Sequence, residues 1–458
     1  MAKIIAFSKK HFWQIAATVF LVALFLQDRL IIKSVFWKDS FIEYQSIAIY
    51  PFYVLVVLYL LGLVIYKVKK REQFNLGPRF ILVLVGLAFL VLLITGLLGI
   101  YPLISLFFLL KFVLGFFAYL VILNLKIKFS FWQVLLITLI VIEGVLGIGQ
   151  MVLQRDLGLR LLVGEPVLDP SEFGVGVIEW EGHRSLRAYG NFAHPNIFGG
   201  IMATGLVLLT SFYLSAKKKL RKFQQREKDW FFFFAFLVIY LGLFFSFSRS
   251  AWLPLAIIVC IFAVGVIIYR FRHSFSPDLK NKVLKINLAL LICLILSVAL
   301  FSAPLSVRFN PEESQMERVI KSRGEYFKES FELSKFYWLK GTGAGNYVRG
   351  VFDKITSEDK GFLYQPVHNV PVLILIETGI IGVVLLLIWV IYWFWELFKR
   401  FKRGLKNSQF IVFAIMTLVL FILFFANLFD HYLWTSMIGF FLVWIFVGLG
   451  MKGTGDHF

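Results

Sequence analysis

Twelve long apolar runs constrain this chain more strongly than any other feature of its sequence. Crossing the hydrocarbon core of a bilayer takes roughly 20 predominantly apolar residues, and most of these runs reach that length. The sequence therefore predicts an all-α fold, a polytopic integral membrane protein with about 12 transmembrane helices. The predicted spans lie at about 12–27, 45–66, 80–99, 102–123, 131–150, 192–214, 230–247, 251–269, 284–303, 370–396, 409–427 and 432–450.

The composition also favours a membrane protein. Apolar residues make up 59% of the 458 residues, whereas roughly 45–50% is usual in soluble domains even when glycine is counted. Cys260 and Cys293 lie inside apolar runs, so neither a disulfide framework nor a zinc site is expected. We predict a single membrane domain over residues 1–458, whose first helix is retained because no small-residue cleavage site follows it.

The net charge of +20 is explained by membrane topology. With the N-terminus placed in the cytoplasm, the inner segments carry most of the 47 Lys and Arg residues, and the outer segments carry most of the 27 Asp and Glu residues. This asymmetry is the positive-inside pattern, which orients membrane proteins. We therefore expect both termini in the cytoplasm and no nucleic-acid partner.

Two long loops are predicted on the outer face, at residues 151–191 and 304–369. Long loops carry function more often than short connections do. In the first loop, partial alternation over Val175–Trp180 and a turn at Glu181-Gly182 indicate a small hairpin that ends at Leu186. In the second loop, Glu312–Leu339 has the pattern of an amphipathic helix that lies on the membrane surface.

Charged side chains are scarce within the predicted spans, where only Lys111, Glu143 and Glu377 lie. A transporter usually needs a polar path near the bilayer midplane, and the sequence shows no obvious one. The polar residues instead cluster where helices meet the outer face. This placement favours a reaction at the outer surface over translocation.

Three polar segments, far apart in sequence, are predicted to lie at one membrane depth. They are Arg187–Asn196, the turn Ser246–Ser250, and the pair His368-Asn369 that opens the tenth helix. Arginine presents a planar, permanently charged fork to phosphate oxygens, and histidine can accept a proton near neutral pH. We predict that Asn369 caps the tenth helix. The positive end of that helix dipole is expected to keep the neighbouring imidazole of His368 neutral.

The same segments resemble the O-antigen ligase and polymerase family of membrane glycosyltransferases. Nine residues after His368-Asn369 comes Gly379-Ile380-Ile381-Gly382, which looks like the signature of that family. The segment from Arg187 resembles its Arg-x-x-Gly-x-Phe-x-x-Pro-Asn stretch, and Ser248-Arg249 resembles its Ser-Arg turn. Arg323, with the turn at Gly341–Gly345, resembles its long loop, so that the resemblance spans roughly 187–382.

Membership of this family implies a metal-independent, inverting glycosyltransferase in the bacterial cytoplasmic (inner) membrane, with no cofactor. The enzyme would transfer or polymerise a glycan from an undecaprenyl-pyrophosphate-linked donor to an acceptor hydroxyl at the outer face. The acceptor would be a lipid, a glycan or a protein. The resemblance implies that His368 is the catalytic base, that Arg187 and Arg249 bind pyrophosphate, and that seven residues support them: Asn191, His194, Asn196, Ser248, Arg323, Asn369 and Glu377.

Several alternatives stay open. The motifs do not separate a ligase from a polymerase, and nothing in them names the sugar. A transporter or flippase for envelope lipid or polysaccharide is the rival function, and a non-catalytic assembly scaffold is another. Among single residues, Arg249 could be an interface anchor, and Glu143 has no assigned role. Asp430 and His431 could border the pocket, although a solvated turn is expected.

Overall fold

A computed structural model describes residues 2–37, 40–41, 43–172, 174–180, 183–215, 222–272, 276–309, 313–355, 365–404 and 408–452. Over these residues the fold consists of helices and three short two-stranded sheets. The helices are α1 (Ala2–Phe25), α2 (Pro51–Lys70), α3 (Arg79–Leu97), α4 (Pro102–Asn124), α5 (Phe129–Leu153), α6 (Arg160–Val163), α7 (Pro195–Ser215), α8 (Lys222–Phe245), α9 (Arg249–Arg272), α10 (Pro277–Phe309), α11 (Glu313–Tyr337), α12 (Tyr347–Lys354), α13 (Val370–Lys402), α14 (Ser408–Ala426), α15 (Tyr432–Thr435) and α16 (Met437–Met451). The strands are β1 (Leu30–Lys33), β2 (Phe36–Trp37), β3 (Ser40–Phe41), β4 (Ile47–Ile49), β5 (Val177–Trp180) and β6 (His183–Leu186).

The predicted fold class is confirmed: the chain is an all-α polytopic membrane protein. Within the described residues, ten helices are long and apolar enough to span a membrane. Two shorter apolar helices, His11–Phe25 and Met437–Met451, correspond to the first and last predicted spans.

Helix α7 lies at the centre of the bundle, where it packs against α5, α8, α9 and α14. Of the residues in its apolar stretch, 78% are buried. Glycines allow this close packing, since a Cβ at Gly205 would come within 2.6 Å of the Ile140 side chain. The segment that precedes α7 therefore rests on the most enclosed helix of the fold.

Hydrogen bonds between backbone groups near helix termini bring several helix ends together. The Ala188 amide donates to the carbonyl of Phe245 at the end of α8, at 2.9 Å. The Val370 amide, which opens α13, donates to the Asn427 carbonyl just after α14, also at 2.9 Å. We call this end of the bundle the site end.

The predicted hairpin is confirmed, because β5 and β6 pair antiparallel from Val177–Leu186 to Trp180–His183. Its turn lies outside the described residues. The pairings of β1 with β4 and of β2 with β3 were not expected from the sequence, in which their short, mixed segments show no clear alternation.

Helix α13 is broken at Gly379, whose φ of 70° and ψ of −177° are not helical. The glycine turn that follows α11 fills the break. The Thr342 amide donates to the Ile376 carbonyl at 2.8 Å, and the Ile380 amide donates to the Trp338 carbonyl at 2.7 Å. Non-helical backbone inside a membrane domain needs such partners, so this turn has a structural use beyond connecting two elements.

Candidate active site

Asn196 connects its own polar segment to Asp430 and, through Arg187, to the turn at Ser246–Ser250. Its side-chain oxygen accepts from a terminal nitrogen of Arg187 at 2.8 Å. Its amide nitrogen donates to Oδ2 of Asp430 at 2.7 Å. Arg187 is buried and also donates through Nε to the Ser246 carbonyl, at 2.7 Å. One hydrogen-bonded chain thus links three stretches of polypeptide at the site end.

Three histidines surround Asp430. The amide of His431 donates to Oδ1 of Asp430 at 2.7 Å. The ring centroids of His368 and His431 are 4.8 Å apart, and Tyr326 of α11 stacks on His368 at 5.6 Å. His194 is oriented by its own segment, because its Nδ1 accepts from the Asn196 amide at 3.1 Å. We call Arg187, Asn196, His194, His368, Asp430 and His431 the site-end cluster.

Burial keeps the histidines of this cluster neutral. Desolvation lowers the pKa of His194 to about 4 and that of His431 to about 3, although the charge of Asp430 acts in the opposite direction on both. The pKa of His368 is also lowered, first by burial and further by Arg323, while Asp430 and the nearby Pro366 carbonyl oppose the shift. A neutral imidazole can accept a proton, which agrees with the prediction for His368.

Asp430 and Arg187 keep their charges. Burial alone would raise the pKa of the Asp430 carboxyl, but His431, His194 and His368 outweigh it and hold that pKa below the usual value. Burial lowers the pKa of Arg187 to about 10, which still leaves the guanidinium protonated near neutral pH. The cluster therefore holds one buried anion and one buried cation, joined through a neutral amide.

Two further arginines interact electrostatically with residues of the site-end cluster. Arg249, exposed at the first residue of α9, lowers the pKa of both Arg187 and Arg323. Arg323 lies on α11 and lines a pocket of about 30 Å³ together with Tyr326 and His368. The structure thus brings all three predicted arginines within electrostatic reach of the site-end cluster.

Asn369 fixes the position of His368. Its side-chain oxygen accepts from the Val372 amide at 3.0 Å, which confirms the predicted N-cap of α13. Its amide nitrogen donates to the Leu428 carbonyl at 3.0 Å. The start of α13 is therefore fastened to the turn that carries Asp430.

The O-antigen ligase family model matches residues 232–387, about a third of the chain. The chain carries an O-antigen ligase domain. The predicted family resemblance is confirmed, and the match contains Arg249, Arg323 and His368, whereas Arg187 lies before it. A comparison with curated proteins finds no match.

Two predicted supporting residues bind other parts of the fold. The side chain of Asn191 donates to the carbonyls of Phe25, at 2.9 Å, and Val163. Ser248 is buried, and its carbonyl accepts from the Ala251 amide at 3.0 Å in the first turn of α9. In the structure these two residues hold the loops and helix start that present Arg187 and Arg249.

Glu377 lies deeper in the O-antigen ligase domain, beside the break in α13, and is fully buried. It accepts from Trp434 Nε1 at 2.6 Å, from the Tyr347 amide at 3.2 Å and from the Tyr44 hydroxyl. Lys111 binds the same region, since its Nζ donates to the Trp434 carbonyl at 3.1 Å. Glu377 and Lys111 therefore both support α15, the helix that follows the turn carrying Asp430.

The expectation that Asp430 and His431 form a solvated turn was wrong. Asp430 is 5% exposed, and it binds both Asn196 and the His431 amide. A short Asp-His turn between two apolar helices gives no sign of burial. The topology could have indicated this burial, because it places the turn at the same membrane depth as the three polar segments.

An apolar cavity of about 210 Å³ extends along α13 from the site end. Val370 and Leu433, close to His368 and Asp430 in sequence, line its upper part, and Trp389 and Val447 line its far end. The cavity follows the side of α13 that faces α3 and α16. Among the described residues, no group of three His, Cys, Asp or Glu side chains is arranged to hold a metal ion.

Proposed function

We propose that this chain is a glycosyltransferase that transfers or polymerises a glycan from an undecaprenyl-pyrophosphate donor to an acceptor hydroxyl. The site end would face outward, with both termini in the cytoplasm of a bacterial inner membrane. The O-antigen ligase domain supports glycan transfer at the membrane. The observation that carries the proposal is the convergence of Arg187, His368 and Asp430 in one cluster.

The three arginines would bind the pyrophosphate of the donor. Arg187 is held by the Ser246 carbonyl and by Asn196, so its guanidinium is oriented before a ligand arrives. Arg249 and Arg323 add positive charge from two other helices. Preorganised donors of this kind stabilise the negative charge that develops on a leaving group.

His368 would act as the general base. The acceptor oxygen forms a bond to the anomeric carbon of the donor while the bond from that carbon to the pyrophosphate oxygen breaks. The hydroxyl proton passes to His368, and the electron pair leaves with the pyrophosphate.

Asp430 would stabilise the imidazolium that forms when His368 takes this proton. Its charge already acts to raise the pKa of His368. Neutral His431 lies beside His368 without adding a competing positive charge. The cluster is therefore suited to accept one proton at a time.

The isoprenoid tail of the donor would lie in the apolar cavity along α13. The cavity begins next to His368, so a tail placed there would bring the pyrophosphate to the arginines. Along α13 its lining residues run from Val370 to Trp389, on both sides of the break at Gly379.

Reconstitution with a lipid-pyrophosphate glycan and candidate acceptors tests the proposal. His368→Ala should reduce turnover by about 10²- to 10⁴-fold, and His183→Ala, an exposed histidine on β6, should behave as the wild type. Normal turnover in His368→Ala would exclude the proposed base. Movement of labelled glycan lipid across the vesicle without bond formation would favour a transporter. Activity that persists in chelator would support the metal-independent part, and the product would distinguish ligase from polymerase.

A further inference from the structure

Glu143 and Gln150 are two buried polar residues of the membrane-spanning helix α5, with 5% and 0% exposure. They are seven residues apart, close to two helical turns, so their side chains lie on the same face about 10 Å from each other along the axis. An ionisable residue inside a membrane span is costly and usually has a functional use. Neither residue belongs to the cluster described above.

These two side chains bind three consecutive residues of the loop before α7. The Asn191 amide donates to Oε2 of Glu143 at 2.8 Å. Gln150 accepts from the Tyr189 amide at 3.2 Å and donates to the Gly190 carbonyl at 2.7 Å. Helix α5 thus supplies partners for a stretch of irregular backbone, which would otherwise be unsatisfied in an apolar environment.

Gly190 allows the loop to approach α5 so closely. Its φ of 59° lies in the left-handed region, and a Cβ there would come within 2.7 Å of Oε2 of Glu143. Arg187 lies three residues before this point, and His194 lies four residues after it. A shift of the Gly190 backbone would therefore move both side chains relative to Asp430.

We propose that Glu143 and Gln150 are positioning residues, which hold the Tyr189–Asn191 backbone and thereby set Arg187 and His194 within the site-end cluster. The inference rests on the proposed function, because it assigns these residues to the geometry of donor binding. It also gives Glu143 the role that the sequence did not indicate. Misplacement of a binding group by about 1 Å can cost 10²-fold in rate.

Glu143→Leu removes the acceptor for the Asn191 amide, whereas Glu143→Gln keeps a side-chain oxygen at the same place. In reconstituted vesicles we expect Glu143→Leu to lower kcat/KM for the lipid-pyrophosphate glycan about 10- to 100-fold, with the acceptor KM unchanged. Glu143→Gln should stay within about 3-fold of the wild type. These ranges are those typical of residues that orient a functional side chain.

Gln133→Leu is the matched control. Gln133 is also buried in α5, where it donates to Ser211 of α7 at 3.0 Å, far along the helix from the loop. Deuterium uptake of the segment 187–196 should rise in Glu143→Leu and stay at the wild-type level in Gln133→Leu. Gln150→Leu, which removes two loop contacts, gives a second measurement if Glu143→Leu does not fold.

Equal losses of activity in Glu143→Leu and Gln133→Leu would show that only packing is involved and would overturn the inference. So would normal kinetics in Glu143→Leu and Gln150→Leu. Failure of the proposed function is a different result: in that case the wild type makes no glycosidic bond, or His368→Ala is fully active.

Discussion

The imidazole rings of His368 and His431 lie edge to face, with their centroids 4.8 Å apart. Two neutral rings pack well at this distance, whereas two imidazolium ions would repel each other strongly in a buried site. Burial is the main reason why the pKa of His431 falls to about 3, and His368 lowers that pKa further. The pair can therefore take up a single proton, and Asp430 is placed to stabilise it.

The low pKa values predict that stability falls in mild acid. His194 and His431 have pKa values of about 4 and about 3 in the fold, against roughly 6.5 in an unfolded chain. Between these values the unfolded state binds more protons, so the free energy of unfolding decreases as the pH falls from about 6.5 towards 4. The lowered pKa of Asp430 adds no loss in this window, because its contribution disappears only below about 3.8.

Melting in detergent between pH 8 and pH 4.5 measures this effect. His431→Gln should give a shallower decline of the melting temperature, because one of the histidines with a lowered pKa is removed. His183→Gln, on the exposed strand β6, should keep the wild-type slope. Equal slopes in the wild type and His431→Gln would contradict the prediction.

Asp430→Asn is expected to change the pH dependence of the proposed reaction. Asp430 raises the pKa of His368, so its loss should move the acid limb of kcat/KM to lower pH. The maximal rate should fall about 10- to 100-fold, since the imidazolium loses its counter-charge. A pH–rate profile of the reconstituted enzyme measures both effects.

Asp353→Asn serves as the control for this variant. Asp353 pairs with Arg349 on α12, in an exposed ion pair, and its loss should leave the profile unchanged. An Asp430→Asn profile that superimposes on the wild type would remove Asp430 from the mechanism.

Arg187→Lys is expected to be nearly as damaging as removal of the side chain. The guanidinium binds the Ser246 carbonyl through Nε and Asn196 through a terminal nitrogen, and a single ammonium group cannot reproduce that fork. We expect at least a 10-fold loss in kcat/KM for the donor. Arg184 lies on the neighbouring hairpin, where it pairs with Glu179 at the surface. Arg184→Lys should leave kcat/KM for the donor unchanged. A fully active Arg187→Lys would show that only charge is needed at this position.

The sequence was sufficient for the helices because hydropathy depends on local composition alone. The spans, the hairpin of β5 and β6, and the N-cap at Asn369 all follow from patterns within a few residues. The segments of Arg187, Arg249 and His368 were placed at one depth by counting spans. Their placement at one end of the bundle was therefore predictable in outline.

The remaining features depend on contacts that no local pattern records. Asp430 is buried because Asn196, His194 and His368 converge on it and on its neighbour His431 from distant parts of the sequence. The break at Gly379 exists because a distant glycine turn satisfies its backbone, and a glycine within an apolar run does not by itself indicate a break. Glu143 acquired a structural partner only when the loop at Asn191 was placed against α5.

Gly379→Ala tests the break in α13. The φ of 70° with ψ of −177° is a conformation open essentially to glycine only, and an added Cβ would collide with the Leu339 carbonyl. Strain alone costs about 1–3 kcal/mol, and the collision would also displace the turn at Gly341. We therefore expect the free energy of unfolding to fall by about 3 kcal/mol or more. Gly62→Ala is the control: its Cβ would meet nothing within 4 Å, and alanine favours a helix by about 1 kcal/mol. Thermal unfolding in detergent compares the stability of the two variants. A Gly379→Ala protein as stable as Gly62→Ala would mean that α13 can continue as a helix through residue 379.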